Sequence, residues 1–503
     1  MNRTQKFLYN SVSTAFQQIV VMIAGFIVPR TMLVFYGSEI NGLITSISQF
    51  IGYFNLVEAG LANAAIYALY KPLAENNKGL ISSIVSAARH FYNIAGFMFM
   101  SLSLGLAFIY PVFVKTESLS PLMVGLLVAV LGLSGALEFT TMSKYRVLLA
   151  ADQKTYVLSL ATIAAIVINT VVIVGLSALG ANVVLMRAVA LCSVFIRSGI
   201  LWLYVRKHYK GVDYNAPRND KALDKRWDAL ILQILGTVQI GAPVVLATIF
   251  TDLKTVSVYT VFFMVINGIN GVLSIFQSGL ASSFGEVLAK GQTSILQKAY
   301  KEFEFSYYAI LAFIYSVTSV MLLPFVSVYT SGITDVNYNV PTVAFLFVVN
   351  GILYNIKTPQ SMLINSAGLY KETKVQTIIQ GAIMVVLGAV LAPIWGLEGI
   401  LIASCASNLY RTIDLLFFIP KNVTKLPVYS SALRMLSVLI VCGVIYLPFL
   451  FVKINVSGYL GWVVWAMGVS VFAAVCVFVM CVVTGKNELK NVLERIKGLI
   501  FRR

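Results

Sequence analysis

Fourteen apolar runs, each about long enough to cross a bilayer, follow one another along this chain. A helix needs about 20 consecutive apolar residues to pass about 30 Å of hydrocarbon. The runs fall roughly at 7–35, 40–70, 91–114, 122–142, 156–179, 183–205, 229–250, 256–284, 307–329, 341–356, 375–394, 397–419, 433–452 and 460–483. The tenth is short, so its span has to run on through Pro359. With 59% of residues hydrophobic and 11% charged, no soluble core could hide this much apolar side chain. Lipid leaves backbone groups no water to bond, which favours helices. The expected fold is an all-α polytopic membrane protein with about 14 transmembrane helices. No short apolar segment with a small-residue cleavage site precedes the first run, so that run is expected to stay in the membrane.

The formal net charge of +17 follows this layout and does not call for nucleic acid. With a cytoplasmic N-terminus, 30 of the 37 lysines and arginines fall at cytoplasmic ends and loops, the densest stretch being Arg206 to Arg226. Lys115, Lys254 and Lys453 fall on the opposite side, and Arg30, Arg187, Arg197 and Arg411 inside spans. The positive-inside rule then places both termini in the cytoplasm. The five cysteines (Cys192, Cys405, Cys442, Cys476, Cys481) lie in apolar runs without metal-ligand spacing, and His90 and His208 lie at or beyond span ends. No metal site and no catalytic site is expected, since no Walker sequence, nucleophile elbow or acid pair in a loop is present.

The chain repeats itself. Glu58-Ala59-Gly60-Leu61-Ala62-Asn63-Ala64 recurs as Gln277-Ser278-Gly279-Leu280-Ala281-Ser282-Ser283, 219 positions later. Pro111 matches Pro324, Ala150 to Lys154 matches Ser366 to Lys371, Gly180 matches Gly396 and Arg197 matches Arg411. Six spans per copy is an even number, so the copies enter from the same side as parallel repeats. Three parts are expected: residues 1–210 as a first six-helix lobe with the start of a cytoplasmic linker, 211–425 as a second lobe, and 426–503 as two extra helices with a basic tail. That tail, Lys486 to Arg503, reads as an amphipathic helix suited to an anionic inner leaflet, or as a simple basic stop.

Several stretches carry a family likeness: Pro29-Arg30 ending the first span, Tyr36-Gly37-Ser38-Glu39-Ile40-Asn41-Gly42-Leu43, Glu58-Ala59-Gly60-Leu61, Leu69-Tyr70-Lys71-Pro72-Leu73, and Tyr329-Thr330-Ser331-Gly332-Ile333-Thr334-Asp335. In these the chain resembles the polysaccharide transporters of the multidrug/oligosaccharidyl-lipid/polysaccharide (MOP) exporter superfamily, in particular the Wzx-type O-antigen and capsular repeat-unit flippases. The resemblance implies two lobes in a V around a central cavity, and the bacterial cytoplasmic membrane. It implies a cargo of oligosaccharide joined through diphosphate to undecaprenol, moved from inner to outer leaflet by alternating access. It also implies a monomer without cofactor, with polysaccharide polymerase and chain-length machinery as partners.

The charges inside the spans need a reason to be there. An arginine at mid-bilayer facing lipid costs about 2.5–3.5 kcal/mol on insertion scales. Arg30, Arg187, Arg197 and Arg411 are therefore the candidates to face a cavity and hold an anionic headgroup, since arginine's planar fork suits phosphate oxygens. Arg30 and Arg187 have snorkelling to the outer headgroups as the competing role, and Arg411 has a structural pair with Asp414 at i+3. Arg197 has no acid near it in sequence. Glu58, Glu138 and Asp414 are the candidate ion-coupling carboxylates, for a proton or a sodium ion. Glu58 also suits a structural hydrogen bond. Gln17, Gln18, Gln49, Asn55, Gln239, Asn267 and Asn270 are the expected polar lining, half of them serving as interhelical glue. The alternatives are an ion-coupled multidrug exporter of the same superfamily, a flippase of lipid-linked peptidoglycan precursor, and a membrane-embedded glycosyltransferase or polymerase.

Overall fold

The computed structural model describes residues 3–58, 60–220, 230–278, 281–452 and 454–500, with side chains left aside at a few further positions, among them 221–235 and 275–283. Of the recurring stretch, Gly279, Leu280 and the side chains around them lie outside the described residues. So do Lys453 and part of the linker. Every long element is helical. By length and composition, ten helical stretches among the described residues can cross a membrane, and a shorter apolar helix covers Gly236–Phe250. Exposed leucines, valines and phenylalanines such as Phe108, Phe113, Val171 and Leu460 coat the helices, as a hydrocarbon solvent requires and water does not. The chain is a multi-pass membrane protein.

Two compact units divide the chain, Met1–Ser257 and Val258–Arg503. The first begins with α1 (Arg3–Phe54), which leaves helical geometry at Gly37, with φ 83° and ψ 173°. Only glycine takes that backbone without strain, so the first two apolar runs become two limbs of one element. A 3-10 turn (Asn55–Glu58) and Gly60, at φ 79°, then separate α1 from α2 (Leu61–Ala74). The stretch that recurs in sequence is therefore a helix break in this unit, and its glycine is needed for a left-handed residue at the start of α2. There follow α3 (Lys78–Phe113), α4 (Pro121–Thr141), α5 (Ser143–Ala151), α6 (Thr155–Ala178), α7 (Val183–Ala190), α8 (Cys192–His208) and α9 (Leu230–Phe250). The beginning of α10 (Leu253–Ser278) completes the unit.

Small polar side chains join the second limb of α1 to α9 and to this first part of α10. Asn41 Nδ2 donates to Ser257 Oγ at 2.7 Å, and Thr248 Oγ1 and Tyr110 Oη both donate to Ser46 Oγ, at 2.8 and 2.7 Å. A Cβ added at Gly42 would lie 1.7 Å from the Leu253 carbonyl oxygen, so this packing tolerates no side chain there.

At the opposite end of the unit the turn between α5 and α6 is tied down by Asp152. Lys6 Nζ donates to its Oδ1 at 2.9 Å, and Lys154 Nζ and Tyr209 Oη reach its Oδ2 at 2.8 and 2.6 Å. Burial alone would raise the Asp152 carboxyl, but the bonds from Lys154, Tyr209 and Lys6 outweigh it and hold the group below its ordinary value. A carboxylate depressed in the folded state stabilises fully above its unfolded value, and that stabilisation is lost as pH falls through the native one. Asp152→Asn is expected to cost about 1–2 kcal/mol at neutral pH. The deficit should narrow below about pH 4, where the unfolded carboxyl also protonates. Thermal unfolding in detergent across pH checks this; a deficit that does not change with pH removes the charge from the account.

The second unit holds the rest of α10, then α11 (Ala281–Ala289), α12 (Thr293–Tyr329), α13 (Pro341–Ile356), α14 (Thr358–Ala367), α15 (Lys374–Ile419), α16 (Val428–Tyr446) and α17 (Gly458–Ile500). Pro359 explains the break between α13 and α14. It cannot donate a backbone hydrogen bond, and it is well placed in the first turn of a new helix. The tenth apolar run thus continues through Pro359 as two short helices. Gly396, at φ 56°, divides α15 as Gly37 divides α1. The last two helices pack on α12: Val320, Met321, Ile445, Val469 and Ala473 form one buried cluster, and Trp462 Nε1 donates to the Met321 carbonyl at 3.1 Å.

Candidate substrate-binding site

The kink at Gly37 lets both limbs of α1 line one cavity of about 300 Å³ in the first unit, with Pro29 from one limb and Asn41, Thr45, Ser48 and Gln49 from the other. Arg187, in the last turn of α7, supplies its single cationic side chain. The start of α7 is fixed to α1 by Tyr36, whose hydroxyl donates to the Ala181 carbonyl at 2.8 Å. No carboxylate pairs with Arg187 among the described residues, and its Nε is buried with no hydrogen-bond partner there. A buried cation left in this state is unfavourable by itself. An anion in the cavity would meet a guanidinium on one side and amides and hydroxyls on the other. Arg30 is half-buried beside Pro29 and does not line this cavity.

The other charges singled out from sequence are in ion pairs. Arg197, on α8, is not free of acids: its Nη1 meets Glu138 Oε1 of α4 at 2.9 Å. The two are 59 residues apart in sequence, so only helix packing reveals the pair. Arg411 Nη1 pairs with Asp414 Oδ2 at 2.6 Å, one turn along α15. Glu58 is held by Arg146 of α5 and accepts a hydrogen bond from Tyr92 Oη at 3.1 Å. All three candidate coupling carboxylates therefore have a guanidinium partner, and a proton or a metal ion would have to displace it.

The amides divide in the same way. Gln49 lines the cavity, while Gln17 and Gln239 are half-buried and Gln18, Asn55 and Asn267 exposed in their own units. Asn270 accepts from Asn355 Nδ2 at 2.8 Å, and Asn355 also donates to Tyr315 Oη at 3.0 Å, so Asn270 serves as glue within the second unit.

Sequence reasoning missed four charged groups. Arg146 and Lys357 read as cytoplasmic ends, yet Arg146 reaches Glu58 and Lys357 is buried at 7% exposure. Glu304 lies just before the ninth apolar run and Arg434 at the start of the thirteenth, and both are buried in helices, α12 and α16, that begin before those runs do. Arg434 bridges Glu304 Oε2 at 3.1 Å and Glu488 Oε1 at 2.6 Å. The available signal for Lys357 was its position: it precedes Thr-Pro in a run too short to span alone.

A second pocket, of about 630 Å³, in the first unit is lined by Glu39, the segment from Phe113 to Glu117, and the segment from Thr248 to Lys254. It brings together Lys115 and Lys254, with Glu39, Glu117 and Asp252 beside them.

No protein-family model and no curated protein sequence matches the chain. Solved structures do match it. The lipid II flippase MurJ, in an inward closed conformation, is similar over 96% of this chain and 100% of its own, with a TM-score of 0.71 and 11% identity. An inward-facing multidrug resistance MATE family transporter of the MOP superfamily is similar over 84% of this chain and 95% of its own, with a TM-score of 0.63 and 16% identity. A MOP superfamily transporter from Pyrococcus furiosus is similar over 84% of this chain and 96% of its own, with a TM-score of 0.52 and 15% identity. At such identities the likeness is one of fold, and the fold is that of MOP-superfamily transporters.

Proposed function

We propose that this chain moves a lipid-linked oligosaccharide, joined to its polyprenol through a diphosphate, from the inner to the outer leaflet of a bacterial cytoplasmic membrane. The observation that carries this reading is Arg187. A guanidinium without a carboxylate partner, in a cavity with Asn41, Thr45, Ser48 and Gln49, asks for an anionic ligand with hydrogen-bonding oxygens. The cavity's 300 Å³ is small for a whole repeat unit but suits a diphosphate with its first sugar. A cationic drug would meet an unneutralised like charge there, which counts against the multidrug reading. Export of an anion from an inside-negative cell is favoured by about 2.3 kcal/mol per charge per 100 mV.

Lipid-linked peptidoglycan precursor is the second reading. It is supported by the likeness in fold to the lipid II flippase, which extends over 96% of this chain where the MATE family transporter covers 84%. Both cargoes share the diphosphate that Arg187 would address.

The test is reconstitution into liposomes with three cargoes in parallel: fluorescent undecaprenyl-diphosphate oligosaccharide, lipid II and a cationic dye. The oligosaccharide lipid is expected to become accessible to a membrane-impermeant reagent at least ten times faster than in empty liposomes. Movement of lipid II alone selects the second reading, and movement of the dye alone overturns both.

A further inference from the structure

Lys357 stands at the break between α13 and α14, is 7% exposed, and is the only buried lysine among the described residues. Its Nζ donates to Asn408 Oδ1 at 2.5 Å and lies 4.7 Å from the centre of the Tyr354 ring. No carboxylate pairs with it among the described residues. Asn408 is a neutral acceptor already engaged elsewhere: Gln380 Nε2 approaches the same oxygen at 3.4 Å, and Asn408 Nδ2 donates to Asn350 Oδ1 at 2.8 Å.

The charged and titratable groups around this ammonium are few. From α15 come Arg411, close enough to act on Lys357 electrostatically, and Asp414, which is committed to Arg411 at 2.6 Å. From α12 come Tyr308, whose hydroxyl donates to the Ile356 carbonyl at 2.8 Å, and Glu304, which is committed to Arg434 and accepts from Gln360 Nε2 at 3.0 Å. From α13 itself comes Tyr354. With Lys357 charged, the group Lys357, Arg411 and Asp414 carries one net positive charge in a desolvated place. With Lys357 neutral it carries none.

We propose that Lys357 is an exchangeable-proton site inside the second unit, gaining and losing its proton while Arg411 and Asp414 stay paired. A buried ion without a counter-ion is disfavoured, and lysine, unlike arginine, can discard its charge. The step is a simple transfer: one Nζ–H bond breaks, its electron pair stays on nitrogen, and the proton passes to water. The reverse step restores the ammonium. The three carboxylates singled out from sequence would each have to break a salt bridge to do the same, whereas Lys357 breaks only a hydrogen bond to an amide. Tyr354, 40% exposed and stacked over Nζ, is the contact of the ammonium that reaches the surface of the unit. This inference does not depend on the identity of the cargo.

The test uses the full chain in proteoliposomes on a solid-supported membrane, with no cargo present. A pH jump across neutrality is expected to give a transient charge displacement in the wild type. Lys357→Met, permanently neutral, and Lys357→Arg, permanently charged, should each reduce its amplitude at least tenfold. A merely structural lysine would leave the displacement in place in Lys357→Arg. Full amplitude in that variant, once size-exclusion chromatography shows it folded, overturns the proposal and returns the proton to the paired carboxylates. If neither variant folds, Tyr354→Ala decides. A transient at least twofold faster at unchanged amplitude supports the site, and an unchanged time course overturns it.

Discussion

Arg187→Ala is expected to raise the concentration of diphosphate lipid needed for half-maximal transport by about 30-fold or more, the equivalent of about 2 kcal/mol. Truncation removes the single cation of the cavity in the first unit, and only neutral polar side chains, Asn41, Thr45, Ser48 and Gln49, are left to face the anion. Arg187→Lys keeps the charge but not the planar fork, so it should recover only part of the loss. Folding should not suffer, because Arg187 has no ion-pair partner among the described residues to be orphaned. Arg197→Ala is the contrast. It leaves Glu138 without its partner at 2.9 Å and is expected to lower the thermal midpoint more than it alters cargo affinity. Concentration-dependent transport in proteoliposomes, alongside thermal unfolding of each variant, separates the two. Equal loss of affinity in both would mean that Arg197 leaves its pair to meet the cargo.

The second large effect concerns stability. Arg434→Ala is expected to destabilise the second unit by about 3–5 kcal/mol, the range for breaking a buried ion pair from one side. Glu304 is 1% exposed and would be left charged in a dry site, with only neutral donors remaining, among them Ser431 and, each at 3.0 Å, Tyr300 Oη and Gln360 Nε2. Arg434 also fastens Glu488, which follows the departure from helical geometry at Gly485, so the substitution frees the C-terminal part of α17 as well. Arg434→Met combined with Glu304→Gln should recover more than half of the loss, because the most deeply buried of the three groups then carries no unpaired charge. Thermal midpoints at one fixed scan rate measure this, since membrane proteins in detergent commonly unfold irreversibly. A double variant as weak as the single one would show that packing, and not charge, sets the cost.

Some of this was legible in the sequence because it rests on local physics. Apolar runs of bilayer length gave the helices, the shortness of the tenth run called for its continuation through Pro359, although not for the break there, and Arg411 with Asp414 at i+3 could be paired by helical spacing alone. Gly60 was visible as half of a recurrence, but its role was not. The recurrence marks the glycine, while only its positive φ shows it to be a helix break. The charged pairs that cross between helices were not legible at all. Nothing in the neighbourhood of Arg197 points to Glu138, nor does anything near Glu58 point to Arg146, because a helix meets its partners through rotation and tilt that local pattern does not encode.

The sequence by itself determined that this chain crosses a membrane many times as helices. Apolar length and charge placement suffice for that, because lipid admits so few other solutions. Tertiary structure decided which charges are free. Of the four intramembrane arginines first singled out, Arg197 and Arg411 are neutralised by carboxylates, and Arg187 faces a cavity without one. Lys357, which read as an ordinary cytoplasmic end, became a buried ammonium with an amide for its partner. The reason is the same in each case. Burial makes a charge costly and a partner decisive, and partners from different helices meet only in the folded chain.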